Sequence, residues 1–183
     1  MLTLAPQTAM AGSTQTKSVS CTFESLSIED REIAMVLMFV RYSDRGEDRI
    51  SWRRGLDVAG RMLDAANTRC KIAHHWSRGQ ATHARDYAFN SLLVEAMRQM
   101  LESEGTRSAE PIDRYFALHG SELLPRQDTA SRQGTEFTTY LIKHGWDADG
   151  EDDLRQARNY LEALIGRQGS VRGFQASVRV KAG

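Results

Sequence analysis

Along most of this chain hydrophobic residues recur at three- and four-residue steps, the spacing that lines one face of an α-helix. Ser27 and Asp30 form a variant capping box, in which a hydroxyl and a carboxylate satisfy amide donors that the first helical turn leaves open. Ile33, Val36, Leu37 and Val40 then share a face, while Ala34, Met35, Met38 and Phe39 make the other side apolar, predicting a helix buried all round. The polar stretch from Tyr42 to Ile50 reads as a loop, after which Ser51 caps a second helix. That helix turns Leu56, Ala59, Met62, Leu63 and Ala66 inward and Arg53, Arg54, Asp57 and Arg61 outward.

A long helix is expected after Gly79 to about Glu104, with Tyr87, Ala88, Leu92, Ala96 and Met100 on one face and Gly105 as its stop. Pro111 opens a short helix carrying Ile112, Tyr115, Phe116 and Leu118, which Gly120 closes. Leu124 to Gly134 reads as a polar linker. Phe137, Tyr140, Leu141 and His144 form a stripe ended by Gly145. Asp149 caps a final helix in which Leu154, Ala157, Leu161, Leu164 and Ile165 align, with Glu151, Asp152 and Asp153 at its positive end and Gly166 after its last periodic residue.

These elements predict an all-α fold, a single bundle of five or six helices. Residues 27–105 form the helical core and 106–166 an additional helical region. Residues 1–26 read as a disordered tail and 167–183 as a basic flexible tail, in which Val171, Phe174, Val178 and Val180 offer a short strand as the alternative. No internal repeat, dinucleotide fingerprint or phosphate-cradling loop stands out.

Composition narrows the function classes. Twenty-four basic and 24 acidic side chains cancel, so no global field draws the chain to nucleic acid or an anionic surface, and any such attraction is local. The longest apolar run, Ile33 to Val40, is far short of the roughly 20 residues that cross a bilayer, so no membrane insertion is expected. With Cys21 and Cys70 the only cysteines, in no metal-binding spacing, free thiols and a cytoplasmic location are the expectation. The acid-free, Ser/Thr/Gln-rich start also resembles the leaders of bacterial effectors, which offers secretion into a host cell as the alternative location.

The sharpest chemical string is Asn67-Thr68-Arg69-Cys70-Lys71-Ile72-Ala73-His74-His75-Trp76. Arg69 and His74 are separated by four residues, the last two of them in Ile-Ala-His, a pattern that resembles the Arg-x4-to-6-His signature of HEPN (higher eukaryotes and prokaryotes nucleotide-binding) domains. The resemblance covers about ten residues, with helical context over roughly 27–104, and departs from the family pattern at Cys70, where a polar residue is usual. It implies an all-α bundle acting as a metal-independent endoribonuclease, or as an RNA- or partner-binding relative, without a cofactor and as a homodimer with paired motifs, in a toxin or defence setting. On that reading His74 exchanges a proton with the attacking ribose hydroxyl, Arg69 holds the phosphate, and Lys71 and His75 bind substrate. Against it stands a structural reading, in which Arg69 snorkels at a helix end and His74 and His75 close a turn.

Other constellations are weaker. Cys70 or Cys21 with His119 or His144 would be needed for a thiol hydrolase. Asp147, Asp149, Glu151, Asp152 and Asp153 lack calcium-loop spacing, because Gly150 comes too early, and they read as helix-capping acids with no metal. Arg167, Arg172, Arg179 and Lys181 around Phe174 offer phosphate contact or a solvated tail, and His83 with Asp86 a surface pair. The helix pairs show no basic recognition helix for DNA. The second function class is therefore a non-enzymatic helical adaptor or effector acting by protein–protein contact.

Overall fold

The computed structural model describes residues 18–42, 49–103, 108–123 and 130–179, and within helices it leaves out the side chains of 38–42, 49–56, 130–133 and 179. The expected tail over 1–17, the loop over 43–48, the stop at Gly105, the linker over 124–129, and Val180 and Lys181 lie outside the described residues. So do the side chains of Val40, Ser51 and Leu56. Among the described residues there are seven helices and no strand: α1 (Cys21–Glu24), α2 (Ile28–Tyr42), α3 (Arg49–Ala73), α4 (Arg78–Ser103), α5 (Glu110–His119), α6 (Ala130–Lys143) and α7 (Glu151–Arg179). None of them is long and apolar enough to cross a membrane.

The central pair is α4 and α7, which run antiparallel. Gly79 faces Ser177, His83 faces Gly173, Asn90 faces Gly166 and Arg98 reaches Tyr160, so the numbering rises on one helix as it falls on the other. α1, α2 and α3 pack on the remaining flanks of α4, α5 packs on α7, and α6 packs on α5. The main core collects Ala59, Leu63, Ala88, Leu92, Ile112, Phe137, Leu141, Ala157, Tyr160 and Leu164, and a smaller cluster of Val19, Cys70, Trp76, Ala81, Ala84 and Phe174 seals one end.

Gly166 does not end α7. The helix continues to Arg179, and the expected tail or strand over 167–179 is helical, with Phe174 and Ser170 buried. The reason lies in packing. An added Cβ at Gly166 would stand 2.8 Å from Asn90 Cγ, and at Gly173 it would run into the imidazole of His83. The two glycines are seven residues apart, as are Asn90 and His83, so each polar side chain of α4 sits in a gap that α7 leaves open. Helix propensity disfavours glycine by about 1 kcal/mol per site, and the close approach offsets that loss.

The expected tail is also shorter than residues 1–26. Residues 18–26 form a strap that includes α1, buries Val19, Thr22 and Leu26, and lies across the end of α3. Its anchor is a disulfide between Cys21 and Cys70, with Cα atoms 6.1 Å apart, in place of the expected free thiols. The turn before Ile28, capped by Ser27 Oγ accepting from the Asp30 amide at 3.0 Å, sends the chain back over α3 and brings together cysteines 49 residues apart in sequence. Closing a loop of that length constrains the unfolded chain by roughly 4 kcal/mol in the chain-entropy model.

α2 departs from the expected all-round burial. Ala34 and Met35 face the core, but Ile33 is 41% and Val36 62% exposed. Leu37 is half-buried against the core, so α2 is buried along one side only.

Two helix ends repeat one device. Ile72-Ala73-His74-His75-Trp76 ends α3 and Ile142-Lys143-His144-Gly145-Trp146 ends α6. At the first, His75 (φ 51°) donates to Ile72 O at 3.3 Å and Trp76 to Lys71 O at 3.0 Å; at the second, Gly145 (φ 88°) donates to Ile142 O and Trp146 to Leu141 O, both at 3.1 Å. Both are Schellman ends, and each drops a tryptophan into the core. Each hairpin then returns through a long helix bearing Ala-Arg-x-Tyr, whose arginine (Arg85, Arg158) bonds back to the preceding helix at Asp64 or Thr138. A local repeat is therefore present at the level of helical hairpins. Ser77 and Gln80 start α4 with a reciprocal capping box at 2.9 and 3.2 Å.

Alanine at Gly173 or Gly166 should lower stability by about 1–3 kcal/mol through overpacking. Alanine at Gly134, a helical site with nothing within 4 Å of its would-be Cβ, should raise it by about 0.5–1 kcal/mol. Thermal melts of the three variants check this, and equal behaviour at all three sites would refute the packing argument.

Candidate functional site

The string Arg69 to His75 occupies the last turn of α3 and the bend to α4, and Arg69, Lys71, His74 and His75 are all exposed. Five residues of helix rotate the chain by about 140° beyond one full turn and advance it by about 7.5 Å, so Arg69 and His74 leave α3 on different flanks. Arg69 Nη2 donates to the Ser25 carbonyl at 3.2 Å on the strap side. His74 stacks on Trp76, with ring centroids 5.4 Å apart and planes 20° from parallel. The structure thus brings Arg69 to Ser25 and His74 to Trp76, with no hydrogen bond between the two among the described residues. Lys71 contributes its carbonyl to the helix end and His75 its left-handed backbone.

Cys70, between them, is buried and bonded to Cys21, so neither cysteine is a free nucleophile. The histidines proposed to serve them stand elsewhere, His119 against Tyr115 and His144 against Tyr140, with ring centroids 4.7 and 4.0 Å apart. These two Tyr-x3-His pairs, one turn apart on α5 and α6, join through the Tyr115–Tyr140 contact at 5.0 Å into one aromatic row. Their spacing was legible in the sequence, but their meeting was not. In the acidic run, Asp147 Oδ1 accepts from the Asp149 amide at 3.0 Å and Asp152 pairs with Arg155. Among the described residues no group of three or more acidic, histidine or cysteine side chains could hold a metal.

Sequence reading missed a polar triad joining α4, α5 and α7. Tyr160 OH donates to Asp113 Oδ1 at 2.8 Å, and Arg98 Nη2 donates to Asp113 Oδ2 at 2.6 Å and to Tyr160 OH at 2.8 Å. Burial, with the Asp113 carboxylate beside it, pushes the Tyr160 hydroxyl up to about 12. Burial, and then the charge of Glu136, raises Tyr115 as well. The triad fastens three helices in register and holds its proton, which is a structural role.

The second feature is a shallow hollow of about 200 Å³ between α2 and α4, lined by Met35, Val36, Ala96, Gln99, Met100 and Ser103. Val36 forms its rim, and Ile33 lies one turn back on the same face. Glu29 and Glu32, seven and four residues before Val36, share that face, and Glu95 and Glu102 flank Gln99 at helical spacing on α4. Helical spacing thus places four glutamates beside this groove.

No protein-family model, curated protein or solved structure matches the chain.

Folding raises the Tyr160 value from 10.0 to about 12, so the stabilisation it brings is complete below pH 10 and is lost as pH climbs from 10 towards 12. Tyr160→Phe should cost about 1–2 kcal/mol near neutrality. The advantage of the wild type over that variant should shrink through this alkaline window. Denaturant titrations at several pH values measure it, and a gap that stays constant would count against the triad.

Proposed function

We propose that the protein is a helical interaction module that binds a partner protein through the outer face of α2 and the hollow beside it. The observation that carries this reading is the exposure of Val36 and Ile33 next to an apolar depression, on a helix whose other side is core. A hollow of about 200 Å³ is smaller than the roughly 300–1,000 Å³ typical of small-molecule sites, and it suits one or two side chains from a partner. Its acidic flanks favour a partner helix whose apolar anchors are bordered by lysine or arginine. The module then works as a cytoplasmic adaptor or, through its Ser/Thr-rich start, as an effector delivered into a host cell.

A photo-crosslinking residue placed at position 36 should yield a discrete adduct in cells, whereas the same residue at the exposed Leu118 should not. Val36→Asp should abolish binding while leaving helicity and melting temperature unchanged. No adduct at position 36, or the same pattern from both positions, would sink the reading.

One observation favours a second reading, RNA binding or metal-independent RNA cleavage of the HEPN kind: Arg69, Lys71, His74 and His75 are exposed together around one helix end. In that reading a homodimer pairs two such ends, so that Arg69 of one copy holds the phosphate while His74 of the other moves the proton. The expected result is RNA cleavage that His74→Ala removes without loss of helicity. Intact RNA after incubation with wild-type protein would leave this reading without chemistry.

A further inference from the structure

The Cys21–Cys70 bridge belongs to neither reading, and its two sulfurs are not equivalent. Cys21 is half-exposed, whereas Cys70 is 2% exposed and packs among Val19, Trp76, Ala81, Ala84 and Phe174. A thiolate arriving from solvent therefore meets Cys21 Sγ first. Ser25 Oγ stands 3.3 Å from Cys70 Sγ and 3.8 Å from Cys21 Sγ, so a hydroxyl is in place to donate to the sulfur that leaves. Arg69, next in the chain, holds the Ser25 carbonyl and brings a permanent positive charge to the same spot, which favours a thiolate there.

We propose that Cys21–Cys70 is a thiol–disulfide exchange site, reduced by a dithiol, that controls whether the strap of residues 18–26 stays closed. In the first step a thiolate of the reductant bonds to Cys21 Sγ, the Cys21–Cys70 bond breaks, and its electron pair leaves on Cys70 as thiolate. The reductant's second thiolate then attacks its own sulfur in the mixed disulfide and displaces Cys21. Two electrons and two protons pass to the protein, and the reductant departs as an internal disulfide.

The strap makes this exchange consequential. Besides the bridge it is held by Thr22 donating to Asn67 at 3.1 Å, by Trp76 Nε1 donating to Ser18 at 3.3 Å, by the Arg69–Ser25 contact, and by the burial of Val19, Thr22 and Leu26. These contacts are all non-covalent, so a segment of nine residues held by them alone opens more often than one that is also cross-linked. Opening lifts Val19 off Trp76 and Phe174 and uncovers an apolar seat at the α3–α4 bend. α4 and α7 meet through contacts of their own outside the strap, at Asn90–Gly166, His83–Gly173 and Arg98–Tyr160.

The tests use the full chain. Brief exposure of the oxidised protein to reduced glutathione, quenched with iodoacetamide, should leave glutathione on Cys21 and the alkyl group on Cys70. The reverse placement, or an equal split, overturns the attack at Cys21. With dithiothreitol, once mass confirms two free thiols, amides of residues 18–26 should exchange hydrogen at least a hundredfold faster while α4 and α7 keep their protection. Unchanged exchange over 18–26, or loss of protection and helicity throughout, overturns the clasp.

Discussion

Two helices can approach closely only where one of them gives up its side chains, and the meeting of α4 with α7 depends on that constraint. Gly166 and Gly173 open gaps seven residues apart, and Asn90 and His83 fill them from the opposite helix. Further along, Tyr160, Arg98 and Asp113 tie the same pair to α5 by hydrogen bonds that engage the Tyr160 hydroxyl, both Asp113 oxygens and Arg98 Nη2. With the axis set in this way, α4 can offer its remaining flanks to the first three helices while α7 carries α5.

Much of this was legible from residue spacing. The inward faces of α3 and α4, the Ser27 cap and the turn at Gly145 follow from local rules that involve a few neighbouring residues. What escaped was tertiary in origin. Gly166 looks like a helix terminator to any local rule, and only the side chain it faces shows that it is a contact. The strap looks like a tail because Val19, Thr22 and Leu26 are too few to announce a core; their burial depends on a cross-link to a residue far along the chain. On α2 the outward turn of Val36 reflects a choice between two apolar faces, and periodicity alone cannot make that choice when both are hydrophobic.

The candidate site divides in the same way. The string from Arg69 to His75 was visible as a string, and its position at the end of a helix was expected. Its geometry was set by partners outside it: Ser25 takes the guanidinium, Trp76 takes the imidazole, and Cys21 takes the sulfur between them. The α2–α4 hollow had no sequence signature, because it is a space between helices. Both features nonetheless lie on the first three helices and their contacts with α4.

The two Schellman ends differ at their left-handed residue, and that difference has a mechanical meaning. Gly145 adopts its left-handed backbone at no steric cost, but His75 holds the same conformation with a side chain, which costs roughly 1–2 kcal/mol. The first bend is therefore a loaded joint kept shut by the tryptophan that follows it. A change that loosens Trp76 would let this joint relax, while its twin at Gly145 would stay at rest.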